Sequence, residues 1–219
     1  MILYTYFRSS AAYRVRIALG LKGLEPEKHF VHLAKGGGQQ HSPEYRALNP
    51  QGRVPFLIDR LSDGSDVKLS QSLAIIEYLD ETHPQPPLLP KDAAGRARVR
   101  QIALAIAADI QPLQNLAVTQ RLEREMGVDQ AGRDAWVRHW IDLGLSALET
   151  TLARDGATGR YCHGDAPTLA DCCLVPQMFA ARRFGAAIDR WPTLLRIDAE
   201  CAKLPAFAAA APAAQPDAE

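Results

Sequence analysis

Hydrophobic and polar residues follow one rhythm in the first part of the chain and another in the rest. The first part alternates short apolar, β-prone runs with stretches whose apolar residues recur at helical spacing. A strand, a helix and a second strand in succession predict a parallel pair, and a later hairpin adds antiparallel strands. The predicted order β-α-β-α-β-β-α uses strands at 2–6, 28–33 and 54–59, helices at 11–22, 42–48 and 71–83, and a strand that returns after the turn at Asp63–Gly64.

The pattern changes at the stretch HPQPPLLP, residues 83–90. Its four prolines exclude a helix or a central strand, so this stretch is predicted to be a linker. Everything after it has helical periodicity, except an alanine-rich end that is expected to fray. An α/β domain is therefore expected over 1–83, a linker over 84–90 and an all-helical domain over 91–219, with helices near 91–126, 129–154, 168–184 and 192–210.

The balance of charge excludes some classes of partner. Lys and Arg together number 25, as do Asp and Glu, so the chain of 219 residues presents no basic surface for nucleic acid or an anionic membrane. No apolar run reaches the roughly 20 residues that span a bilayer, and the N-terminus does not resemble a signal peptide.

The four cysteines form no C-x-x-C pair, and the adjacent Cys172 and Cys173 do not match zinc-ligand spacing. A cytoplasmic protein with reduced thiols and no bound metal is expected.

Two predicted helices begin with hydroxyl side chains. Ser9 and Ser10 follow Arg8 at the end of the first strand, and Gln71 and Ser72 open the last helix of the α/β domain. A serine at a helix start is often only a cap for the first turn. A helix N-terminus also carries unpaired N–H groups and a partial positive charge, so it can hold an anionic ligand. Both alternatives stay open for each of the two starts.

Two further motifs have local explanations. Pro55 follows Val54 at the start of a strand, where proline is tolerated for lack of a donor requirement. Alternatively, a cis bond between them would leave the main chain of Val54 to pair with an extended peptide. Thr168 and Asp171 have the spacing of a capping box, which indicates a folding device and no chemical role.

The stretches RSSAAYRVRIAL, NPQGRVPFL, SQSLAIIEYL, IQPLQN and TLADCCLVPQ resemble the zeta class of glutathione transferases, and the resemblance covers essentially the whole chain. It implies an N-terminal thioredoxin-like domain that binds glutathione, followed by a helical substrate-binding domain, in a homodimer. It also implies an isomerase of maleylacetoacetate or maleylpyruvate, two small dicarboxylates. Their cis double bond would become trans by thiolate addition, bond rotation and elimination.

The resemblance also assigns roles to single residues. Ala11 stands where many zeta members have a cysteine, so the nucleophile is expected to belong to glutathione. Arg14 belongs to the motif, either as a contact or as a solvated cation, and Arg182 is the alternative to Arg183. The implied catalytic residues are Ser9, Ser10, Arg8 and Arg183, and the implied glutathione contacts are Ser10, Gln40, Val54, Pro55, Gln71, Ser72, Gln111 and Asn115.

Several functions share such a glutathione site. Isomerisation of maleylacetoacetate is favoured, with maleylpyruvate as the alternative substrate. A general glutathione transferase or peroxidase is a second possibility, although an arginine pair suits a dicarboxylate better than an apolar electrophile. A non-catalytic module of the same fold is the alternative outside enzymes, and the intact helix-start serines speak against it.

Overall fold

The computed structural model describes residues 1–219 and divides them into two compact units. The N-terminal unit contains Met1–Pro87 together with Leu204–Glu219, and the helical unit contains Leu88–Lys203. The boundary near residue 87 falls inside the proline-rich stretch. The end of the chain belongs to the N-terminal unit, which differs from the extent of 91–219 expected for the helical domain.

The N-terminal unit is built on a four-stranded mixed sheet in the order β2-β1-β3-β4. The first two strands are parallel and the other pairs are antiparallel, which confirms the predicted order and the thioredoxin-like arrangement. Its core includes the fully buried Leu3 and Leu57 on neighbouring strands. The elements are β1 Ile2–Thr5, α1 Ser10–Leu21, β2 Glu27–Phe30, α2 Pro43–Leu48, β3 Phe56–Arg60, β4 Asp66–Ser70 and α3 Ser72–Thr82.

The register of the strands gathers distant segments at one edge of the sheet. Tyr4 of β1 lies opposite Phe56 of β3, and Phe56 lies opposite Ser70 of β4. Thr5 pairs with Phe30 at the end of β2. The segments that follow β1, β2 and β4 and the segment that precedes β3 therefore meet at this edge, which we call the ligand edge.

The alanine-rich end of the chain is ordered against this unit, so the expectation that it frays is wrong. A short helix, α9, spans Pro205–Ala210 and packs on α1. Gly20 of α1 permits the close approach, since a Cβ placed there would lie 3.2 Å from the Cβ of Ala206. Phe207 is buried, and it gives an otherwise featureless alanine run a side chain that anchors it.

The helical unit contains five α-helices, and no helix of the structure is both long and apolar enough to cross a membrane. The helix expected over 91–126 is interrupted by a π-helical stretch at 105–110 and a turn that follows it. The helix expected over 192–210 ends before Pro205. The helices are α4 Ala93–Leu104, α5 Leu116–Arg124, α6 Gln130–Arg154, α7 Leu169–Arg183 and α8 Pro192–Ala202.

The start of α7 has the predicted capping box. The N–H of Thr168 donates to Asp171 Oδ2 at 2.7 Å, and the Thr168 hydroxyl donates to the same oxygen at 2.9 Å. The other carboxylate oxygen accepts from the N–H of Cys162 at 2.8 Å. Asp171 is fully buried, so its carboxylate serves the fold, as predicted.

Candidate active site

The start of α1 presents two hydroxyls at the ligand edge. Ser9 is the N-cap, and its Oγ accepts from the N–H of Ala12 at 3.2 Å. The Ser9 hydroxyl keeps its own proton for donation, because a hydroxyl is donor and acceptor at once. Ser10 is the first helical residue, and its hydroxyl makes no hydrogen bond within the protein. The first turn carries no acidic residue, so the positive end of the helix is not neutralised.

The main chain just before these serines is held by a buried arginine. Arg16 donates from Nη2 to the carbonyl of Phe7 at 2.9 Å and from Nη1 to the carbonyl of Tyr6 at 3.2 Å. Its Nε donates to the carbonyl of Ala210, which ties the α1 start to α9. Burial lowers the pKa of Arg16 to about 10, so the guanidinium stays charged at neutral pH.

The segment before β3 leaves main-chain groups of Val54 without hydrogen-bond partners. The Val54–Pro55 peptide bond is cis, the second of the two alternatives open from the sequence. Neither the N–H nor the C=O of Val54 makes a hydrogen bond within the protein. The preceding carbonyl, of Arg53, is fixed by the Tyr45 hydroxyl at 2.7 Å and the Asn49 amide at 2.8 Å. Burial raises the pKa of Tyr45 to about 12, which keeps this hydroxyl a donor.

The start of α3 carries backbone strain. Gln71 has a φ of 71°, and it is the one non-glycine residue with a positive φ. Such a conformation persists where the surroundings impose it, and it is frequent at ligand sites. Ser72 next to it is buried, and its Oγ accepts from Arg14 Nη1 at 3.2 Å. Arg14 is itself buried, so the alternative of a solvated cation is wrong.

Gln40 lies beneath the same edge. Its side chain is buried, and Nε2 donates to the carbonyl of Leu33 at 3.2 Å. Its amide oxygen is buried with no hydrogen-bond partner. A buried acceptor without a donor is costly, so an N–H from a bound peptide would be stabilising there.

Three basic side chains at the ligand edge surround one carboxylate. Glu219 Oε2 lies 3.7 Å from Arg8 Nη2, and Oε1 lies 3.3 Å from His32 Nε2 and in contact with Lys35 Nζ. The Arg8 guanidinium also lies 4.8 Å from the centre of the Phe7 ring. Sequence patterns pointed to Arg8 but missed His32 and Lys35. The available signal was the parallel β1–β2 pair, which brings the end of β2 to the end of β1.

The candidate residues Gln111 and Asn115 of the helical unit flank the turn after the π-helical stretch. Asn115 is the N-cap of α5, and its Oδ1 accepts from the N–H of Ala117 at 2.9 Å. Gln114 between them is buried and exchanges two hydrogen bonds with Gln177, at 2.9 and 3.2 Å. This amide pair fixes the turn, and the sequence motif did not reveal it.

The two adjacent arginines at the end of α7 differ in their contacts. Arg182 forms an ion pair with Asp198 of α8, so its charge has a structural use. The Arg183 guanidinium lies 5.1 Å from the centre of the Phe184 ring. Both side chains are exposed. The Asp198 ion pair agrees with a structural role for Arg182, and Arg183 stays the predicted substrate contact that the family resemblance implies.

The structure thus brings the candidates of the N-terminal unit to one edge of its sheet, while the other candidates belong to the helical unit. Gathered at or beneath the ligand edge are Arg8, Ser9, Ser10, Gln40, Val54, Pro55, Gln71 and Ser72. Carried by the helical unit are Gln111, Asn115 and Arg183.

Comparison with known proteins agrees with this architecture. Residues 3–87 match the family model of the glutathione S-transferase N-terminal domain. A probable maleylacetoacetate isomerase of Vibrio cholerae is 50% identical over 218 residues, which cover 100% of this chain and 98% of that protein. The α/β unit with this domain signature, together with the helical unit, identifies the chain as a glutathione transferase.

Two solved structures resemble the whole chain. One is a holo maleylpyruvate isomerase, described as a bacterial zeta-class glutathione S-transferase, with 46% identity, full coverage of both chains and a TM-score of 0.94. The other is a maleylacetoacetate isomerase of Methylobacterium extorquens AM1 with bound malonate and glutathione, with 42% identity, full coverage of both chains and a TM-score of 0.94. The chain belongs to the zeta class of the glutathione transferase family.

Proposed function

We propose that this chain is a glutathione-dependent cis–trans isomerase that converts maleylacetoacetate to fumarylacetoacetate in the breakdown of aromatic compounds. The observation that carries the proposal is the start of α1. It offers two hydroxyls and a helix end without an acidic residue at the ligand edge, in a chain whose relatives include maleylacetoacetate isomerases. Glutathione, when bound, supplies the thiolate that adds to the double bond and leaves after the bond has rotated.

The N-terminal unit fits a short peptide with a carboxylate end. The unpaired N–H and C=O of Val54 suit the main chain of an extended peptide. The buried amide oxygen of Gln40 lacks a donor. The strained Gln71 and the helix-start Ser72 suit the γ-glutamyl carboxylate, because a helix N-terminus attracts anions.

The serines would stabilise the thiolate. A hydrogen bond to a charged group contributes about 1.5–3 kcal/mol, which corresponds to roughly one to two units of thiol pKa. Ser9 is the better prepared donor, since the N–H of Ala12 already fixes its oxygen while its proton remains available. Ser10 is the alternative donor, and its hydroxyl is not engaged elsewhere.

The substrate carboxylates need cations. A planar guanidinium pairs with a carboxylate through two hydrogen bonds, which suits Arg8 at the ligand edge. The carboxylate of Glu219 beside Arg8, His32 and Lys35 supports this assignment, since these groups already accommodate an anion. The family resemblance assigns a further carboxylate contact to Arg183.

Maleylpyruvate is the second candidate substrate. A relative of 46% identity over its full length is described as a maleylpyruvate isomerase, so relatives of similar identity carry both names. We further propose that the protein is a homodimer and acts in the cytoplasm. Its four cysteines are buried and free, which suits a reducing compartment.

The proposal is tested by assaying the purified protein on both cis acids, with and without glutathione. We expect isomerisation of maleylacetoacetate that depends on glutathione and exceeds that of maleylpyruvate. A higher kcat/KM for maleylpyruvate would select the second candidate. Conjugation or peroxide reduction without isomerisation would indicate a general transferase or peroxidase, and glutathione binding without any turnover would indicate a binding module.

A further inference from the structure

The last residues of the chain return to the segment that carries the proposed catalytic groups. After α9, the side chain of Gln215 donates to the carbonyls of Ala209 and Ala211 at 2.7 and 3.1 Å, which fixes the course of the chain. Two residues later, Asp217 Oδ2 accepts from the N–H of Phe7 at 2.9 Å. This bond joins residues 210 positions apart in the sequence.

Phe7 is therefore held from both sides of its main chain. Its carbonyl accepts from Arg16 and its N–H donates to Asp217. The negative charge of Asp217 also acts on Arg16, where it opposes the fall in pKa that burial causes. We call the group formed by Arg16, Phe7 and Asp217 the Phe7 clamp.

The Phe7 clamp lies directly before the groups that the proposed reaction needs. Arg8 follows Phe7, and Ser9, the cap of α1, follows Arg8. Because these side chains leave the main chain within two residues of the clamp, a shift of Phe7 moves both of them. Misplacement of a reacting group by about 1 Å can cost about a hundredfold in rate.

We propose that Asp217 is a positioning residue, which fixes the main chain at Phe7 and so orients Arg8 and Ser9 toward the substrate carboxylate and the glutathione sulfur. The catalytic part of this proposal rests on the proposed function. The positional part concerns the protein alone and is measurable without substrate. Asp217 touches no reacting atom in the proposed reaction, and it acts through Phe7.

The test compares Asp217→Ala, Asp217→Asn and Gln215→Ala with the unchanged protein. Asp217→Ala removes the acceptor, Asp217→Asn keeps an amide oxygen that can accept, and Gln215→Ala loosens the same segment without touching Phe7. The first measurement is hydrogen exchange of single amides in the ligand-free protein. In Asp217→Ala we expect the Phe7 amide to exchange at least about tenfold faster, with the amides of α3 unchanged, because one partly buried hydrogen bond has been lost locally.

The second measurement separates glutathione binding from turnover. Asp217→Ala is expected to lower kcat/KM for the cis acid at least about tenfold, while Asp217→Asn stays within about threefold, as a geometric role requires. Gln215→Ala keeps the acceptor of Asp217, so the Phe7 amide is expected to exchange closer to its rate in the unchanged protein than it does in Asp217→Ala. An unchanged Phe7 exchange rate in Asp217→Ala would overturn the proposal. Equal acceleration of all amides of the N-terminal unit in Asp217→Ala and Gln215→Ala would also overturn it, since that result describes general loosening.

Failure of the proposed function has a different signature. An unchanged protein that binds glutathione but isomerises neither acid would refute the isomerase assignment. Faster exchange at Phe7 together with weaker glutathione binding in Asp217→Ala would still establish the positional role. With an active parent enzyme, faster exchange at Phe7 without any loss of kcat/KM would refute the catalytic part.

Discussion

The start of α1 and the start of α7 both carry hydroxyl side chains, but only one of them is closed by a carboxylate. At α7, Asp171 accepts hydrogen bonds from the N–H groups of Thr168 and Cys162 and is fully buried. At α1, Ser9 caps a single N–H, and the first turn has no acidic residue. The protein itself supplies a carboxylate at the start of α7, and it supplies none at the start of α1.

This difference separates a structural helix start from a ligand site. A carboxylate at a helix N-terminus satisfies N–H groups and complements the positive end of the helix. A helix start without one leaves that stabilisation to an anion from outside. The proposed thiolate of glutathione would take at α1 the place that the carboxylate of Asp171 takes at α7.

The largest expected effect is a loss of stability when the carboxylate at the start of α7 is removed. Asp171→Ala leaves the N–H groups of Thr168 and Cys162 buried without an acceptor, which should cost about 2–4 kcal/mol of unfolding free energy. Asp171→Asn, which keeps one acceptor oxygen, should cost less. Chemical denaturation measures both losses. A loss below about 1 kcal/mol for Asp171→Ala, the usual range of an exposed site, would contradict the structural assignment.

Removing the hydroxyls at α1 should have a smaller effect on stability and a specific effect on turnover. Ser9→Ala loses a cap, at a cost of about 0.5–2 kcal/mol of unfolding free energy, and also a donor to the sulfur. We expect kcat/KM to fall about ten- to a hundredfold, because a bond to a charged group is lost. Ser9→Thr keeps the hydroxyl and is the matched control. In Ser10→Ala, kcat/KM should fall less than in Ser9→Ala. A larger fall in Ser10→Ala would make Ser10 the main donor.

Local patterns were sufficient to predict most of this contrast. The capping box at Thr168 and Asp171 is visible as a spacing of three residues, and the serines stand directly before a helical period. The strand order of the N-terminal unit followed from alternation and turn residues. Since caps and turns involve residues that are close in sequence, a single sequence contains most of what specifies them.

Contacts between distant residues could not be predicted in this way. The Phe7 clamp depends on Asp217, which lies in a stretch whose composition resembles a frayed end. The break of the 91–126 helix at a π-helical stretch could not be predicted from periodicity, because six residues with hydrogen bonds from i to i+5 are too few to show an apolar period of their own. Gly144 of α6 leaves room for Ile110 of that stretch, a pairing across 34 positions that periodicity does not show.

Adding an acidic residue to α1 should make it resemble α7. Ala11→Asp places a carboxylate in the first turn, where it interacts favourably with the helix by about 0.3–1 kcal/mol. The same charge repels a thiolate, so the pKa of the bound glutathione thiol should rise by a few tenths of a unit to about one unit. Ala11→Asn is the matched control without the charge. A thiol pKa that is equal in the two variants would argue against an electrostatic role of this helix end.

The smallest expected effect concerns the carboxylate already present at the ligand edge. Glu219→Gln removes a charge that competes with the substrate for Arg8, so KM for the cis acid should fall by up to about threefold, the scale of an exposed ion pair. Glu200→Gln, which breaks an exposed ion pair with Lys203 in the helical unit, is the control. Steady-state kinetics at low and moderate salt measures the change. A KM that rises in Glu219→Gln would show that Glu219 assists binding.

The pKa of the glutathione thiol in its complex with the protein tests the central claim most directly. Ultraviolet difference absorbance of the thiolate, followed as a function of pH, gives this value for the unchanged protein and for the Ser9→Ala/Ser10→Ala double variant. We predict a pKa below the value of about 8.5 that is typical of a free thiol in the unchanged protein, and a value higher by about one to two units in the double variant. Equal pKa values in the two complexes would contradict the claim that the hydroxyls at the start of α1 stabilise the thiolate.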